Sequence, residues 1–234
     1  LCSHKTHREM LLRLVGETGM ILLAIEYRRP PEHPWPVPVN DCYNMYSFLA
    51  NLEIPTEVMF GIQEGDGEDD EQDEEHDVED PESKNRGGGK NKKRVSVTGK
   101  RRLQIFLGGD SAGGTLAIAV VQKAKAHGLR EPESMVLVSP WVDMEEDEVN
   151  TKPDGSFSRN QQVDFLPPPC VSIYANAYAG EQCLHKLSPI NFDLRGFPPM
   201  LVLTGEFEML HDQHKAFVRR ARAQGVPCAL SVGE

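Results

Sequence analysis

Paired cysteines are missing from this sequence. Its five cysteines, Cys2, Cys42, Cys170, Cys183 and Cys228, are an odd number and include no Cys-x-x-Cys pair. Neither a disulfide framework nor a thiolate zinc site is suggested, and a reducing compartment, the cytoplasm by default, is the expectation. No apolar run approaches the roughly 18–20 residues needed to cross a bilayer, and no asparagine opens an Asn-x-Ser/Thr acceptor for glycans. The chain starts at Leu1 and not at Met, so an upstream signal or anchor is left open. No internal repeat is present.

Basic residues are also missing between Glu64 and Glu82, where thirteen of the 36 acidic residues are concentrated. The other 23 acids stand against 25 Lys and Arg, so the net charge of −11 belongs to one segment and the rest is near neutral. Total charge is therefore a poor guide to partners. No nucleic-acid partner is expected, and membrane association and oligomeric state stay open. From Gln63 to Arg102 the acidic run is followed by Gly87-Gly88-Gly89 and the basic run Lys90–Arg102, with almost nothing apolar to bury. Such a segment cannot offset its ordering entropy and is expected to be a disordered insert.

What is present is an alternation. Met20–Glu26, Leu103–Leu107, Met135–Ser139, Met200–Thr204 and Pro227–Val232 read as strands; Val39–Leu52, Ser111–Ala126 and Glu208–Gln224 read as helices. Continuous apolar strands separated by helices call for an α/β domain with a mostly parallel sheet covered on both faces. One domain is the simpler reading for 234 residues. Residues 144–179, with Pro167-Pro168-Pro169 and aromatics at Phe157, Phe165, Tyr174 and Tyr178, break the rhythm and read as a cap over the sheet's carboxyl edge.

The chemistry centres on Gly108-Gly109-Asp110-Ser111-Ala112-Gly113-Gly114, which joins a buried strand to an alanine-rich helix. This is the setting of a Gly-x-Ser-x-Gly nucleophile elbow. The turn strains the serine backbone, so glycine is expected to be required at 109 and 113, where a side chain would collide. Ser111 becomes an exposed nucleophile at a helix N-terminus, where backbone N–H groups, Ala112's among them, can meet a developing oxyanion.

Four blocks in order, Gly108–Gly114, Tyr27–Cys42 (YRRPPEHPWPVPVNDC), Ser139–Asp143 (SPWVD) and Phe197–Asp212 (FPPMLVLTGEFEMLHD), resemble the hormone-sensitive-lipase branch of the α/β-hydrolases, also called the arylacetamide-deacetylase-like group. The resemblance implies a Ser–His–Asp/Glu triad, hydrolysis of carboxylic esters of short to medium acyl or aryl groups, and neither metal nor other cofactor. Carried over by position, Ser111 is the nucleophile and the acid lies in Gly205–Asp212. The family usually has Asp where this chain has Glu208; Glu208 is preferred to Asp212, which lies one helical turn further on. The family's His-Gly-Gly-Gly motif is expected before Leu1 and its catalytic histidine beyond Glu234. None of the eight histidines fits the serine–acid–histidine order, and His211 and His214 read as solvated helix residues. A small-molecule ester is thus the expected partner, and the chain alone is expected to be nearly inert. The alternative implied by the same resemblance is a binding protein of this fold whose pocket receives a small molecule without turning it over.

Overall fold

The computed structural model describes residues 5–55, 100–145 and 152–233. Two compact units are present, Leu1–Leu52 with Leu103–Glu234, and Glu53–Arg102. Within the described residues of the smaller unit, β1 (Glu53–Pro55) pairs antiparallel with β2 (Lys100–Arg102), in a register that sets Glu53 opposite Arg102. Residues 63–99 of the expected insert lie outside the described residues; its last three form β2 instead of irregular chain, because a short strand needs only a partner ladder and not a core.

The larger unit is built on four parallel strands, β3 (Phe106–Asp110), β4 (Ser134–Val138), β5 (Met200–Gly205) and β6 (Cys228–Gly233), adjacent in that order. α3 (Ala112–Ala126) leads from β3 towards β4, and α7 (His211–Ala223) joins β5 to β6. Because the strands are parallel, all their carboxyl ends lie on one edge, where binding crevices form in open α/β sheets.

The core follows the strand period of two. Met135, Leu137, Met200, Val202 and Cys228 are buried in one cluster with Ile118 and Val121 of α3 and Phe217, Val218 and Ala221 of α7. On its other side α3 presents Leu116, Val120 and Ala124 to a second cluster. That cluster holds Val39, Cys42, Tyr46 and Ala50 of α2 (Val37–Asn51), with Trp141, Met144 and the residues Ala175 and Tyr178 of α5 (Pro168–Ala179). Burial on two sides explains why α3 is small and apolar almost throughout. Pro38 stands in the first turn of α2, where its missing N–H has no helical acceptor to lose.

A guanidinium closes the larger unit where the smaller one departs. Arg130 Nε donates to the Ala50 carbonyl at 2.9 Å and its Nη2 to the Leu103 carbonyl at 2.7 Å. Its own carbonyl accepts from Tyr46 Oη at 2.6 Å, and burial pushes that phenol up to about 12.

The sheet is parallel and packed by helices, as expected; among the described residues Phe106, Val136 and Leu201 are 53%, 41% and 36% exposed. Three details differ from what the sequence pattern suggests. Met20–Glu26 forms no ladder among the described residues, since a strand exists only by pairing its backbone. A helix that the sequence pattern does not announce, α1 (Arg8–Thr18), precedes it and buries none of its residues. The strand expected at Leu103–Leu107 begins at Phe106 and runs to Asp110, so the glycine pair belongs to the strand itself. Among the described residues of 144–179 lie α4 (Ser156–Asn160) and α5, and α6 (Leu184–Leu187) follows.

Leu137 lies in β4 and is fully buried. Leu137→Ala should lower the unfolding free energy by about 2–5 kcal/mol with an unchanged denaturant slope. Urea unfolding followed by circular dichroism measures both.

Candidate active site

Ser111 ends the turn after β3 with φ 53° and ψ −118°, a conformation sparsely populated by residues with a side chain. Surrounding hydrogen bonds hold it there. Its N–H donates to the Val138 carbonyl at 2.9 Å, and its carbonyl accepts from Gly114 at 2.9 Å, Thr115 at 3.3 Å and Trp141 at 3.1 Å. Ser111 and Ala112 are exposed, and Ala112 opens α3, so its N–H has no acceptor within the helix. The preceding residue is anchored as well: Asp110 Oδ2 lies 2.8 Å from His7 Nε2.

The glycine requirement holds at Gly109 as expected, but its second position is Gly114 and not Gly113. A Cβ on Gly109 would lie 2.2 Å from the Gly113 carbonyl oxygen, and one on Gly114 would lie 2.6 Å from Pro140 Cβ. Around Gly113 nothing lies within 4 Å. The close approach is therefore between the end of the strand and the helix backbone, and between α3 and the chain leaving β4; Gly113 itself faces open space.

The loop after β5 carries the carboxylates. Glu208 sits ahead of α7, which begins at His211, and is not part of the helix as expected. Its Oε1 accepts from the Gly205 N–H at 2.6 Å and from Ser139 Oγ at 2.7 Å. Its Oε2 lies 3.8 Å from His214 Nδ1, too far for a hydrogen bond. Asp212 is engaged elsewhere. Its Oδ2 accepts from the Ser156 N–H at 2.8 Å, the first amide of α4, and its Oδ1 lies 3.0 Å from Lys215 Nζ. Burial alone would raise the Asp212 carboxyl, but the Ser156 amide and Lys215 hold it below the usual carboxylate range.

α4 and the chain just after it lace this loop in place through contacts that no sequence pattern announces, since the partners are separated by some 45–56 positions. Asn160 Nδ2 donates to the carbonyls of Glu206 at 3.1 Å and Glu208 at 2.9 Å. Ser156 Oγ donates to the Met209 carbonyl at 2.7 Å and accepts from the Asp212 N–H at 2.9 Å, while the Met209 N–H donates to Asp164 Oδ2 at 2.7 Å.

His211 and His214 are buried, not solvated as their place on a helix suggests. The helical period puts them on the stripe of Phe217, Val218 and Ala221, facing the sheet. His214 Nδ1 lies 2.7 Å from Thr204 Oγ1. Burial drives its pKa down to about 4, against a weaker opposing pull from the Pro140 carbonyl. It is a neutral core histidine. Among the described residues no group of three or more His, Cys, Asp or Glu is assembled that could hold a metal ion.

The sheet order, the strained serine between β3 and α3 and the anchored carboxylate after β5 form a recognisable arrangement, and a family model described as the alpha/beta hydrolase fold matches residues 1–234. The chain belongs to the alpha/beta-hydrolase family. An acetyl-hydrolase of Streptomyces hygroscopicus is 28% identical over 229 residues, covering 97% of this chain and 60% of that protein. An esterase of Acinetobacter venetianus is 25% identical over 234 residues, covering 97% and 59%. Among solved structures, an esterase from the bacterial hormone-sensitive lipase family is 30% identical, covers 99% of this chain and 62% of that one, and superposes with a TM-score of 0.70. The chain thus spans about 60% of the length of the curated relatives it matches. The resemblance carried by the four sequence blocks is borne out, and the relatives are named as ester hydrolases. Among the described residues no helix is long and apolar enough to cross a membrane.

In this alpha/beta hydrolase the glycines of the turn should separate by site. Gly109→Ala should abolish cooperative folding, Gly114→Ala should lower the melting temperature, and Gly113→Ala should leave it near that of the parent; thermal unfolding of the three variants reads the order.

A second outcome follows from His214. Its ordinary pKa of 6.5 is lowered to about 4 by folding, so the unfolded chain takes up the proton first. Stability from this group is complete above about pH 6.5 and falls as the pH drops towards 4, by about 3 kcal/mol in all. Urea unfolding at pH 7, 5 and 4 should show the loss, and His214→Gln should flatten it.

Proposed function

We propose that the whole protein is a carboxylic-ester hydrolase working through an acyl-enzyme, with Ser111 as nucleophile, Ala112 N–H as one oxyanion donor and Glu208 as the acid of the triad. Ser111 Oγ attacks the ester carbonyl as a histidine takes its proton; the tetrahedral oxyanion is met by the Ala112 amide, and the alcohol leaves carrying the proton returned by the histidine. Water then attacks the acyl-serine by the same steps. Glu208 holds the histidine in its productive tautomer and stabilises the cation that forms. Residues 1–234 contain no His-Gly-Gly-Gly. The relatives are longer than this chain, and we assign the general base and the second oxyanion donor to that further length. Without them, residues 1–234 are expected to be nearly inert.

One observation carries the proposal: the Ser111 turn and the Glu208 carboxylate are both tied to the carboxyl end of β4. Ser111 bonds the Val138 carbonyl and Glu208 bonds the hydroxyl of the next residue, Ser139. A histidine placed above this end can face both. The engagement of Asp212 with Ser156 and Lys215 favours Glu208 as the acid. Residues 144–179 are proposed as a cap over this edge, supported by the bonds from Ser156 and Asn160 to the loop after β5. The substrates proposed are esters of short to medium acyl or aryl groups.

The full-length protein should hydrolyse short p-nitrophenyl esters. Ser111→Ala should cut turnover at least about 10³-fold and Glu208→Gln up to about 10⁴-fold. Asp212→Asn should chiefly lower thermal stability. Unchanged turnover in the Ser111 variant would remove that residue from the mechanism, and a crippling Asp212→Asn beside a silent Glu208→Gln would move the acid one helical turn.

A further inference from the structure

We propose that Ser139 is a positioning residue that fixes the rotamer of the Glu208 carboxylate and decides which of its oxygens faces the catalytic histidine. The inference rests on the reading of Glu208 as the triad acid.

Two features of Ser139 point this way. Among the described residues it shares with Ser111 alone a positive φ outside glycine, at 44°. Glycine adopts that conformation without strain, so a serine here carries a cost that its backbone role does not explain. That backbone role is to donate its N–H to the Leu203 carbonyl at 2.8 Å, a bond glycine would make equally well. What serine adds is the hydroxyl, and the hydroxyl donates to Glu208 Oε1 at 2.7 Å. Strain is thus kept where a side-chain donor is wanted.

The consequence for the carboxylate is a division of labour between its oxygens. Oε1 takes two donors, the Gly205 amide at 2.6 Å and the Ser139 hydroxyl, and a Cβ on Gly205 would lie 3.1 Å from it, so the pocket around Oε1 is closed. Oε2 lies 3.8 Å from His214 Nδ1, beyond hydrogen-bond range, and that nitrogen is already 2.7 Å from Thr204 Oγ1. Oε2 is therefore the oxygen left to accept from a catalytic imidazole. Glutamate is flexible, and the Gly205 amide alone would let the carboxylate rotate about the single bonded oxygen. The second donor, attached to the end of the strand beside the nucleophile, stops that rotation and ties the acid to the framework that holds Ser111.

Ser139→Ala, Ser139→Gly, Glu208→Gln and the double variant Ser139→Ala/Glu208→Gln of the full-length protein test this with p-nitrophenyl acetate between pH 5 and 9. Glycine guards against misfolding, because it relieves the strain while removing the hydroxyl. Both Ser139 variants should lose roughly 10- to 100-fold in kcat with KM changed less than about two-fold. The acid limb of kcat/KM should move to higher pH, since a carboxylate that has lost a donor stabilises the imidazolium more strongly. In the Glu208→Gln background, Ser139→Ala should add nothing. If Ser139→Gly keeps full turnover and an unmoved acid limb while Glu208→Gln is crippling, the hydroxyl has no such role and this inference alone falls. It falls equally if the Ser139→Ala loss multiplies fully with that of Glu208→Gln. If Glu208→Gln is itself silent, the acid assignment fails and Ser139 falls with it.

Discussion

The hydrogen bond from the Ser111 amide to the Val138 carbonyl is the point from which the rest of the site is measured. A serine at φ 53° persists only if its surroundings over-determine it, and this bond ties the strained turn to the end of β4. The Trp141 amide returns the connection by donating to the Ser111 carbonyl. Thr115 Oγ1 adds a short bond to the Trp141 carbonyl. The chain leaving β4 is thus threaded over the start of α3, and Gly114 lacks a side chain because Pro140 occupies that space.

Much of the fold is legible because buried parallel strands write themselves as apolar runs. β4, β5 and β6 each lie within about one residue of the run that marks them, and α2 and α3 within about two. What escapes is whatever depends on a partner distant in sequence. Met20–Glu26 has the composition of a strand, but among the described residues no neighbour accepts its backbone. α1 leaves no buried stripe to read, since it buries none of its residues. At the site, Ser111 is legible from its turn chemistry and Glu208 only through the family blocks, while Ser139, Ser156 and Asn160 are silent, because a polar residue's role lies in what it touches. Gly113 looks essential and Gly114 incidental for a similar reason: the pattern marks glycines, but only the packing says which of them has a neighbour.

Two ways of handling buried polarity meet behind the carboxyl edge. His214 is kept neutral by burial and satisfied at Nδ1 by Thr204, so it adds no charge beside Glu208. Asp212, less deeply buried, stays ionised by taking an amide of α4 and a lysine. The result is a sheet edge at which Glu208 keeps one oxygen uncommitted to either arrangement.

The Arg130 clamp has a bearing on how this scaffold tolerates change. By gripping the carbonyls of Ala50 and Leu103 together, one side chain from beyond α3 fixes the distance between the two places where the backbone leaves and rejoins the larger unit. α2 on one side of that junction and α3 on the other are held by a shared apolar cluster. The junction is therefore a natural split point. Two polypeptides severed there would keep the guanidinium clamp and the α2–α3 contact as a ready-made recognition surface, which is what fragment complementation requires.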